Sequence, residues 1–285
     1  MEKIKLNNGL STGFIDVYDS YFEKLNIDTV RKYGYHGREY LRKFISYDSE
    51  TSHNHATEHD KRLAWVYQWS FFFFFNGVCV GGRKPSEFIA QLLMISDMYN
   101  LSTDKRCVIY IHNLSYDITF LLDFMYMIDE VEILALDSHK FLTVYWHGFE
   151  FRCSWKLSNM SLDMFSESVN TINKKMLGAI DYDAIRYQDS ILTRTDWEYQ
   201  VNDVITLDES LTKKLTLEHD TVATVPLTAT GYVRRECRRA VRGCKEFRDN
   251  FVKYKLDADS YIRCRQAFAG GYTHGNRFMS GKIIE

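Results

Sequence analysis

The segment LAWVYQWSFFFFFNGVCVGG, residues 63–82, constrains the fold of this chain more than any other stretch. Two runs rich in aromatic and β-branched residues flank an Asn76-Gly77 pair. That pair is the strongest short-range hairpin signal in a sequence, because both central positions of a type I′ turn need a positive φ. The segment therefore predicts two antiparallel strands. The five consecutive phenylalanines at 71–75 are interpreted as a buried strand, with a ligand-stacking platform as the alternative.

The segments on either side indicate that this hairpin belongs to an α/β sheet. KFISYDSET, residues 43–51, predicts a strand whose side chains alternate, with Phe44 and Asp48 on the same face. After Pro85, SEFIAQLLMISDMY has apolar residues at helical spacing and Ser86 as a candidate N-cap, and the following CVIYIH predicts a short strand. A strand, a hairpin, a helix and another strand together predict a mixed sheet that helices cover.

The second half of the chain continues this pattern. VEILALDSHKFLTVYWHGFEFRCSW, residues 131–155, predicts further strands separated by turns. TRTDWEYQVNDVITLDESLTKKL, residues 193–215, predicts a long helix, on which Tyr199 and Asp203 share a face because they are four residues apart. Three regions are predicted: an N-terminal extension without an assigned role (1–42), the α/β domain (43–225) and a basic helical segment (226–285).

Composition and charge narrow the class of protein. The 285 residues are 45% hydrophobic, enough for a sizeable core, and contain neither an apolar run of about 18 residues nor a signal-peptide pattern. We therefore expect a globular, cytoplasmic protein without a membrane partner. The net charge is −2, yet residues 232–265 hold eleven Lys or Arg and five Asp or Glu, a local excess of +6. Arg234, Arg235 and Arg238 within this segment suit a nucleic-acid backbone, with a solvated surface as the alternative.

Polar residues follow two of the predicted strands at their carboxyl ends. Asp48 and Glu50 end the first strand, Asn113 follows another, and Asp117 falls in the first turn of the helix after it. Ligands of open α/β sheets gather at the carboxyl ends of the strands. Together with Asp203 on the long helix, these acids are therefore expected to converge as a group of four carboxylates.

Four carboxylates packed this closely repel one another, which raises their pKa values unless cations intervene. An oxygen-only ligand set suits Mg²⁺ or Mn²⁺, and two such ions about 3.5–4 Å apart can clamp the attacking and leaving oxygens of phosphoryl transfer. The predicted reaction is phosphodiester hydrolysis, with Tyr199 orienting the attacking water. HNHATEHD, residues 53–60, is a weaker candidate for a zinc site; a polar loop is the preferred interpretation because no cysteine is nearby.

Three short motifs, taken in order, resemble the exonuclease motifs of family B DNA polymerases: D-x-E in YDSET, H-N-L-x-Y-D in HNLSYD, and Y-x-x-N-D in YQVND. They are similar in particular to those of the protein-primed polymerases of small phages and linear plasmids. That resemblance implies a 3′–5′ proofreading exonuclease with an RNase H-like (DnaQ-like) fold and two divalent metal ions. It also implies a phage- or plasmid-encoded enzyme that serves DNA replication inside a host cell.

Carried over residue by residue, the resemblance implies a role for each motif position. The metal-binding acids are Asp48, Glu50, Asp117 and Asp203, and Tyr199 is the water-orienting tyrosine. The residues that contact the single-stranded 3′ end are Thr51, His112, Asn113, Tyr116 and, from the segment CSWKLSNMSL, Ser154. The family's catalytic lysine falls at Leu177 in an ungapped match, so Lys175, two residues upstream, is assigned that role here.

The segment AFAGGYTHGNRF, residues 267–278, resembles the YxGG segment that links the exonuclease and polymerase modules of the family and binds template, with Phe268 at the tyrosine position and Gly270 and Gly271 approaching the strand. The family's polymerase carboxylates would follow it, so we expect a fragment, a truncated product or one half of a split enzyme. The implied partners are the primer 3′ end and a terminal protein. The alternatives are a non-catalytic module that binds single-stranded DNA or a terminal protein, and a ribonuclease of the same fold.

Overall fold

The computed structural model describes residues 2–5, 11–16, 26–32, 37–54, 63–73, 77–137, 140–178, 180–181 and 183–267. The chain divides into two compact units, Met1–Tyr232 and Val233–Glu285. The domain boundaries expected after residues 42 and 225 remain predictions. None of the described helices combines the length and the apolar content that crossing a lipid bilayer requires.

Ten strands of the described chain form one mixed sheet in the first unit. They are β1 (Glu2–Lys5), β2 (Ser11–Asp16), β3 (Thr29–Arg31), β4 (Glu39–His53), β5 (Ala64–Phe73), β6 (Val78–Gly82), β7 (Lys105–Ile111), β8 (Glu132–Ala135), β9 (Phe141–Trp146) and β10 (Phe149–Cys153). The order is β1-β2-β6-β5-β4-β7-β10-β9-β8, and β3 pairs with the start of β4. Strands β4, β7 and β10 are parallel, so their carboxyl ends meet at one edge.

Helices cover both faces of this sheet. The first unit contains α1 (Pro85–Tyr99), α2 (Leu114–Asp117), α3 (Thr119–Tyr126), α4 (Ser154–Ser158), α5 (Leu162–Ser168) and α6 (Arg194–Leu217); α7 (Ala229–Val241) spans the boundary, and the second unit contains α8 (Lys245–Lys253) and α9 (Ala258–Ala267). Apolar side chains of α1 and α3 pack on one face, and those of α5 and α6 pack on the other. The predicted α/β architecture, a mixed sheet flanked by helices, is confirmed.

Strand β4 alternates its side chains between the two faces, as predicted. Tyr47 lies on the α1 side, where its ring stacks on Phe88 at a centroid distance of 4.2 Å. Ser46 lies on the α6 side, where its Oγ donates to Asp208 Oδ1 at 3.2 Å. Because the alternation has a period of two, even-numbered positions from 46 to 52 face α6 and odd-numbered positions face α1 and α2.

The predicted hairpin forms as β5 and β6, which pair antiparallel. Phe71 of β5 is fully buried, and its ring packs with that of Trp69 against Phe88 of α1. At this position the run of phenylalanines is therefore a core strand, as predicted, and not a ligand-stacking platform. Residues 74–76, which follow β5 in the sequence, lie outside the described part of the chain.

The predicted N-cap of α1 is wrong by two residues. The helix begins at Pro85, so Lys84 and not Ser86 is the N-cap. Proline fits the first helical position because its φ is already helical and its missing N–H would have no partner there. Glu87 Oε2 accepts hydrogen bonds of 2.9 Å from the main-chain nitrogens of Lys84 and Arg83, which supplies the capping interaction.

A buried charged cluster joins the three central strands around Glu150 of β10. Its carboxylate accepts hydrogen bonds from Arg152 at 2.8 Å and from the Tyr40 hydroxyl at 2.9 Å, and Arg106 Nη1 lies 3.5 Å away. Burial by itself would raise the pKa of Glu150, but Arg152 and the other partners outweigh it, so the pKa is lowered overall. Both arginines are buried as well, and without this carboxylate they would be two buried cations that lack their anion.

Glu150→Gln is therefore expected to lower the free energy of unfolding by about 3–5 kcal/mol, because it removes one partner of a buried ionic cluster. The control is Glu39→Gln, which removes the exposed Arg31–Glu39 pair at 3.1 Å and is expected to cost about 0–1 kcal/mol. Urea denaturation of both variants measures the difference. Equal costs would contradict a structural role for the buried cluster.

Candidate active site

Strand β4 runs past the end of its parallel neighbour β7. Their last pair is Tyr47 with Ile111, and beyond it the described part of β4 pairs with β5 alone. A crevice therefore opens on the β7 side of residues 48–53. Asn113 adopts a left-handed backbone with φ 68°, which asparagine tolerates better than most residues, and this turns the chain from β7 into α2 beside the crevice.

Three carboxylates meet in this crevice. Asp48 and Glu50 of β4 and Asp203 of α6 each place one oxygen within 4.8 Å of the others. Asp203 is 3% exposed, and its Oδ1 is buried without a hydrogen-bond partner among the described residues. A buried anionic oxygen without a donor is costly, and a divalent cation held by the three carboxylates would supply the missing partner. The donors are all oxygen atoms, which suits Mg²⁺ or Mn²⁺.

The fourth predicted carboxylate, Asp117, lies beside this group. Ser49 Oγ donates a hydrogen bond of 2.7 Å to Asp117 Oδ1, so the carboxylate is anchored from the α2 side of β4. Burial raises the pKa of Asp117 to about 7. Its charge in turn contributes to the raised pKa values of Asp48 and Glu50, so the four acids form one electrostatic unit.

Burial and mutual repulsion perturb the titration of the whole group. The pKa of Asp48 lies well above its usual range, first because of burial and then because of the charge of Glu50. Burial, followed by the charge of Asp203, raises the pKa of Glu50 to about 8. Without a cation the group therefore retains protons near neutral pH, and metal binding would release them.

Lys175 offsets part of the negative charge. Its Nζ lies 2.7 Å from Asp203 Oδ2. Burial lowers the pKa of Lys175, but Asp203 outweighs that effect and the pKa is raised overall. Burial raises the pKa of Asp203 more than Lys175 lowers it. Leu177, the ungapped sequence match to the family's lysine, is 73% exposed, whereas Lys175 places its cation among the acids.

Helix α6 carries Tyr199 and Asp203 to the sheet. The helix begins after Thr193, whose Oγ1 accepts a hydrogen bond of 3.2 Å from the main-chain nitrogen of Asp196, while Asp196 Oδ2 accepts one of 2.7 Å in return. This reciprocal cap is encoded by the Thr and Asp at the predicted start of the helix. Tyr199 is 2% exposed, and its ring centroid lies 5.5 Å from Lys175 Nζ.

Two residues that position the acids were not predicted from the sequence. Gln200 donates from Nε2 to the main-chain oxygen of Asp48 at 2.9 Å and to its Oδ2 at 3.1 Å. Ser49 holds Asp117, as described above. The sequence around Gln200 and Ser49 does not mark either residue as functional, because each acts on a partner that is distant in sequence.

Two hydrogen-bonded pairs contain four of the predicted DNA-contact residues. Thr51 Oγ1 lies 2.7 Å from the hydroxyl of Tyr116, and His112 Nδ1 lies 2.9 Å from Ser154 Oγ. Tyr116 is 46% exposed, so its aromatic ring is open to contact with a ligand. Burial, aided by the charge of Lys175, lowers the pKa of His112 to about 4, so the imidazole is neutral near pH 7.

The remaining predicted site residues lie at the start of α2, in α7 or outside the described chain. Asn113 is exposed at the start of α2. Arg234, Arg235 and Arg238 belong to α7, in the second unit. Phe268, Gly270 and Gly271 lie outside the described residues, as do positions 55–60 of the candidate zinc segment.

Comparison with known proteins finds a likeness at the level of fold. No protein-family model matches the sequence, and no curated protein matches it. A solved structure of Phi29 DNA polymerase complexed with single-stranded DNA aligns with a TM-score of 0.61 and 16% identity, over 83% of this chain and 41% of that chain. Phi29 DNA polymerase complexed with primer-template DNA and incoming nucleotide substrates aligns with a TM-score of 0.60 and 16% identity, over 84% and 41%. The chain thus spans about two fifths of the length of these polymerases.

The stability of the metal-free protein is expected to fall as pH rises from about 5 to about 8, because a group with a raised pKa in the folded state loses its contribution when it ionises. The pKa values of Asp117, about 7, and Glu50, about 8, set the upper end of this range. Mn²⁺ is expected to abolish most of the fall. Thermal unfolding across this pH range, with EDTA or with Mn²⁺, measures both effects.

Glu50→Gln is expected to flatten the metal-free profile and to reduce the rise in Tm caused by Mn²⁺. Asp208, whose pKa burial raises to about 7, leaves a residual slope that does not respond to metal. The control Glu132→Gln, at an exposed acid of β8, should behave as wild type. If the stability of the metal-free wild-type protein did not change with pH, the raised pKa values of the carboxylate group would be contradicted.

Proposed function

We propose that this chain is the 3′–5′ exonuclease part of a protein-primed family B DNA polymerase, and that it acts on single-stranded DNA ends with two divalent ions, Mg²⁺ or Mn²⁺. The carboxylate group carries the proposal: Asp48, Glu50 and Asp203 meet, with Asp117 beside them. These acids come from three ordered sequence motifs that are far apart in the chain. The likeness in fold to Phi29 DNA polymerase, which was solved in complex with single-stranded DNA, also supports the proposal.

The proposed reaction is hydrolysis of the terminal phosphodiester bond. Divalent ions bound at these oxygens would polarise the phosphodiester and lower the pKa of the attacking water. Lys175 limits the repulsion among the acids through its ion pair with Asp203. We assign to Tyr199 the orientation of the attacking water; its side chain is buried, and its ring centroid lies 5.5 Å from Lys175 Nζ.

The DNA strand is proposed to enter along the two hydrogen-bonded pairs. Thr51 and His112, held by Tyr116 and Ser154 respectively, are fixed in place before the strand binds. The exposed ring of Tyr116 can stack on a base near the 3′ end, which contributes about 1–3 kcal/mol in comparable sites. Asn113, exposed at the start of α2, lies next to His112 in the chain and is assigned to the same strand.

The basic helix α7 is proposed as a second contact with nucleic acid. Arg234 and Arg238 are exposed, and Glu236 pairs with Arg235 at 3.5 Å and Arg239 at 2.8 Å. The arginines nevertheless outnumber the acid on this helix, so a net positive surface remains. Such contacts bind phosphates without regard to sequence and weaken steeply with salt.

In a complete polymerase this activity would remove mispaired nucleotides from the primer end during replication. The chain aligns with only about two fifths of Phi29 DNA polymerase, so we propose the remaining features of such a polymerase. They are polymerisation, a terminal protein as partner, and replication of a phage or linear plasmid in the host cytoplasm.

Asp48→Ala combined with Glu50→Ala is expected to slow degradation of labelled single-stranded DNA by at least about 100-fold, because losing several kcal/mol of charge stabilisation in the transition state corresponds to such a factor. Gel analysis of end-labelled DNA in Mg²⁺ or Mn²⁺ measures the rate. DNA binding, followed by fluorescence anisotropy, is expected to persist. Unchanged or metal-independent degradation by this variant would refute the assigned site.

The matched control replaces two exposed acids of the same unit, Asp123→Ala with Glu130→Ala, and is expected to keep wild-type activity. The same assay separates the alternatives. DNA binding without any degradation by the wild-type chain would identify a non-catalytic binding module. Faster removal of ribonucleotides than of deoxyribonucleotides would identify a ribonuclease.

Lys175→Gln is expected to reduce the degradation rate by about 10- to 100-fold, as is typical when a partner of a metal-ligating group is lost. Removing the cation also raises the pKa of Asp203, so the pH optimum is expected to move upward. The control is Lys174→Gln, at a neighbouring lysine whose Nζ donates to the main-chain oxygen of Ser166 at 3.0 Å. Equal losses in the two variants would contradict the role of Lys175.

A further inference from the structure

An open cavity of about 680 Å³ lies at the start of β5, lined in part by Trp65, Lys84, Tyr187 and Asp189. Its volume falls within the range of about 300–1,000 Å³ that small-ligand sites occupy. The rings of Trp65 and Tyr187 are parallel, with an interplanar angle of 2° and a centroid distance of 5.1 Å. Tyr187 is 53% exposed. The cavity therefore presents a flat aromatic surface to solvent.

The backbone on which this surface stands is fixed on several sides. The main-chain nitrogen of Arg186 donates to Ser52 Oγ at 3.1 Å, and its oxygen accepts from Trp65 Nε1 at 2.7 Å. Arg83 Nη2 donates to the main-chain oxygen of Tyr187 at 2.9 Å and to that of Ser190 at 2.8 Å. Because the backbone is constrained in this way, the exposed ring is already ordered, and little further conformational entropy of the protein is lost when a ligand stacks on it.

The aromatic pair lies next to the carboxylates, on the same side of the sheet. Trp65 is paired with Ser52, which follows Glu50 by two residues on β4. Two residues along a strand span about 7 Å and adjacent strands are about 5 Å apart, so Trp65 is within a nucleotide's reach of Glu50. Directly paired residues share a face, which places Trp65 on the α6 side with Glu50. Thr51, which bonds Tyr116, is on the opposite face.

We propose that the parallel Trp65–Tyr187 pair is a stacking subsite for a nucleobase of single-stranded DNA, adjacent to the phosphate that lies at the carboxylates and on the side away from Tyr116. The inference rests on the proposed function and specifies how that site binds a base of its substrate. A flat aromatic surface accepts any base, because every base has a π-face, which suits a nuclease that removes nucleotides of all four kinds. Lys84, an exposed residue in the lining of the cavity, provides a cation for a neighbouring phosphate.

Calorimetric titration with two small probes tests this subsite without relying on catalysis. The probes are dAMP and 2-deoxyribose 5-phosphate, which lacks the base, each in the presence of Mn²⁺. Wild-type protein is expected to bind dAMP at least about fivefold more tightly, the lower end of what stacking a base contributes. Tyr187→Ala and Tyr187→Leu are expected to lose that preference, whereas Tyr187→Trp is expected to keep it.

The matched control is Tyr126→Ala, at a tyrosine of α3 that is 54% exposed, and it is expected to retain the preference for dAMP. Thermal unfolding establishes that each variant is folded, and Tyr187→Leu preserves side-chain bulk if Tyr187→Ala disturbs the backbone. Absence of a preference in the wild-type protein, or its persistence in Tyr187→Leu, would overturn the subsite.

The outcome for the subsite is separable from that for the proposed function. A preference for dAMP that depends on Tyr187, in a protein that does not degrade DNA, supports the subsite and refutes the nuclease. Metal-dependent degradation of DNA by a protein without that preference supports the nuclease and refutes the subsite.

Discussion

Repulsion among three carboxylates, one buried and two partly buried, is the constraint on which the rest of this structure depends. Asp48, Glu50 and Asp203 place oxygens within 4.8 Å of one another, where solvent screening is weak. Lys175 and Gln200 neutralise or satisfy some of these oxygens, but Asp203 Oδ1 has no hydrogen-bond partner in the described chain. Such an arrangement lowers stability in the absence of a cation, so folding alone does not explain it. A cation bound by these oxygens would offset the repulsion.

Groups that repel stay together only if the elements that carry them cannot move apart. The cluster around Glu150 serves this purpose, because it ties Tyr40 of β4 and Arg106 of β7 to β10 away from the crevice. The three parallel strands are thus locked toward their amino ends, while their carboxyl ends remain open to a ligand. Helix α6 closes the assembly from one face through Leu207, Leu211 and Leu215, which belong to the same core cluster as Phe44 of β4 and Val108 of β7.

Sequence patterns predicted the elements better than the contacts between them. Three features could be predicted because each depends only on residues that are close in sequence. They are the period-two alternation in β4, the hairpin and the acidic motifs. The start of α1 was misplaced because Pro85 outweighed the capping preference of Ser86. Gln200 and Ser49 were missed, and Lys175 could be assigned only by resemblance, because each acts on a residue 28 or more positions away. Strands β1 and β2 were not anticipated, although β2 pairs with β6.

The alternation of β4 gives one strand two tasks. Its even-numbered residues, which include Asp48 and Glu50, face α6. Its odd-numbered residues, which include Ser49 and Thr51, face α2, where they form hydrogen bonds with Asp117 and Tyr116. A slip of one residue would exchange the two sets and dismantle both sides of the crevice. The pairing with β5 does shift beside Glu50, but the extra residue belongs to β5. Because β5 absorbs the irregularity, the alternation of β4 continues unbroken through the acids, and the register of this one strand decides what the crevice can bind.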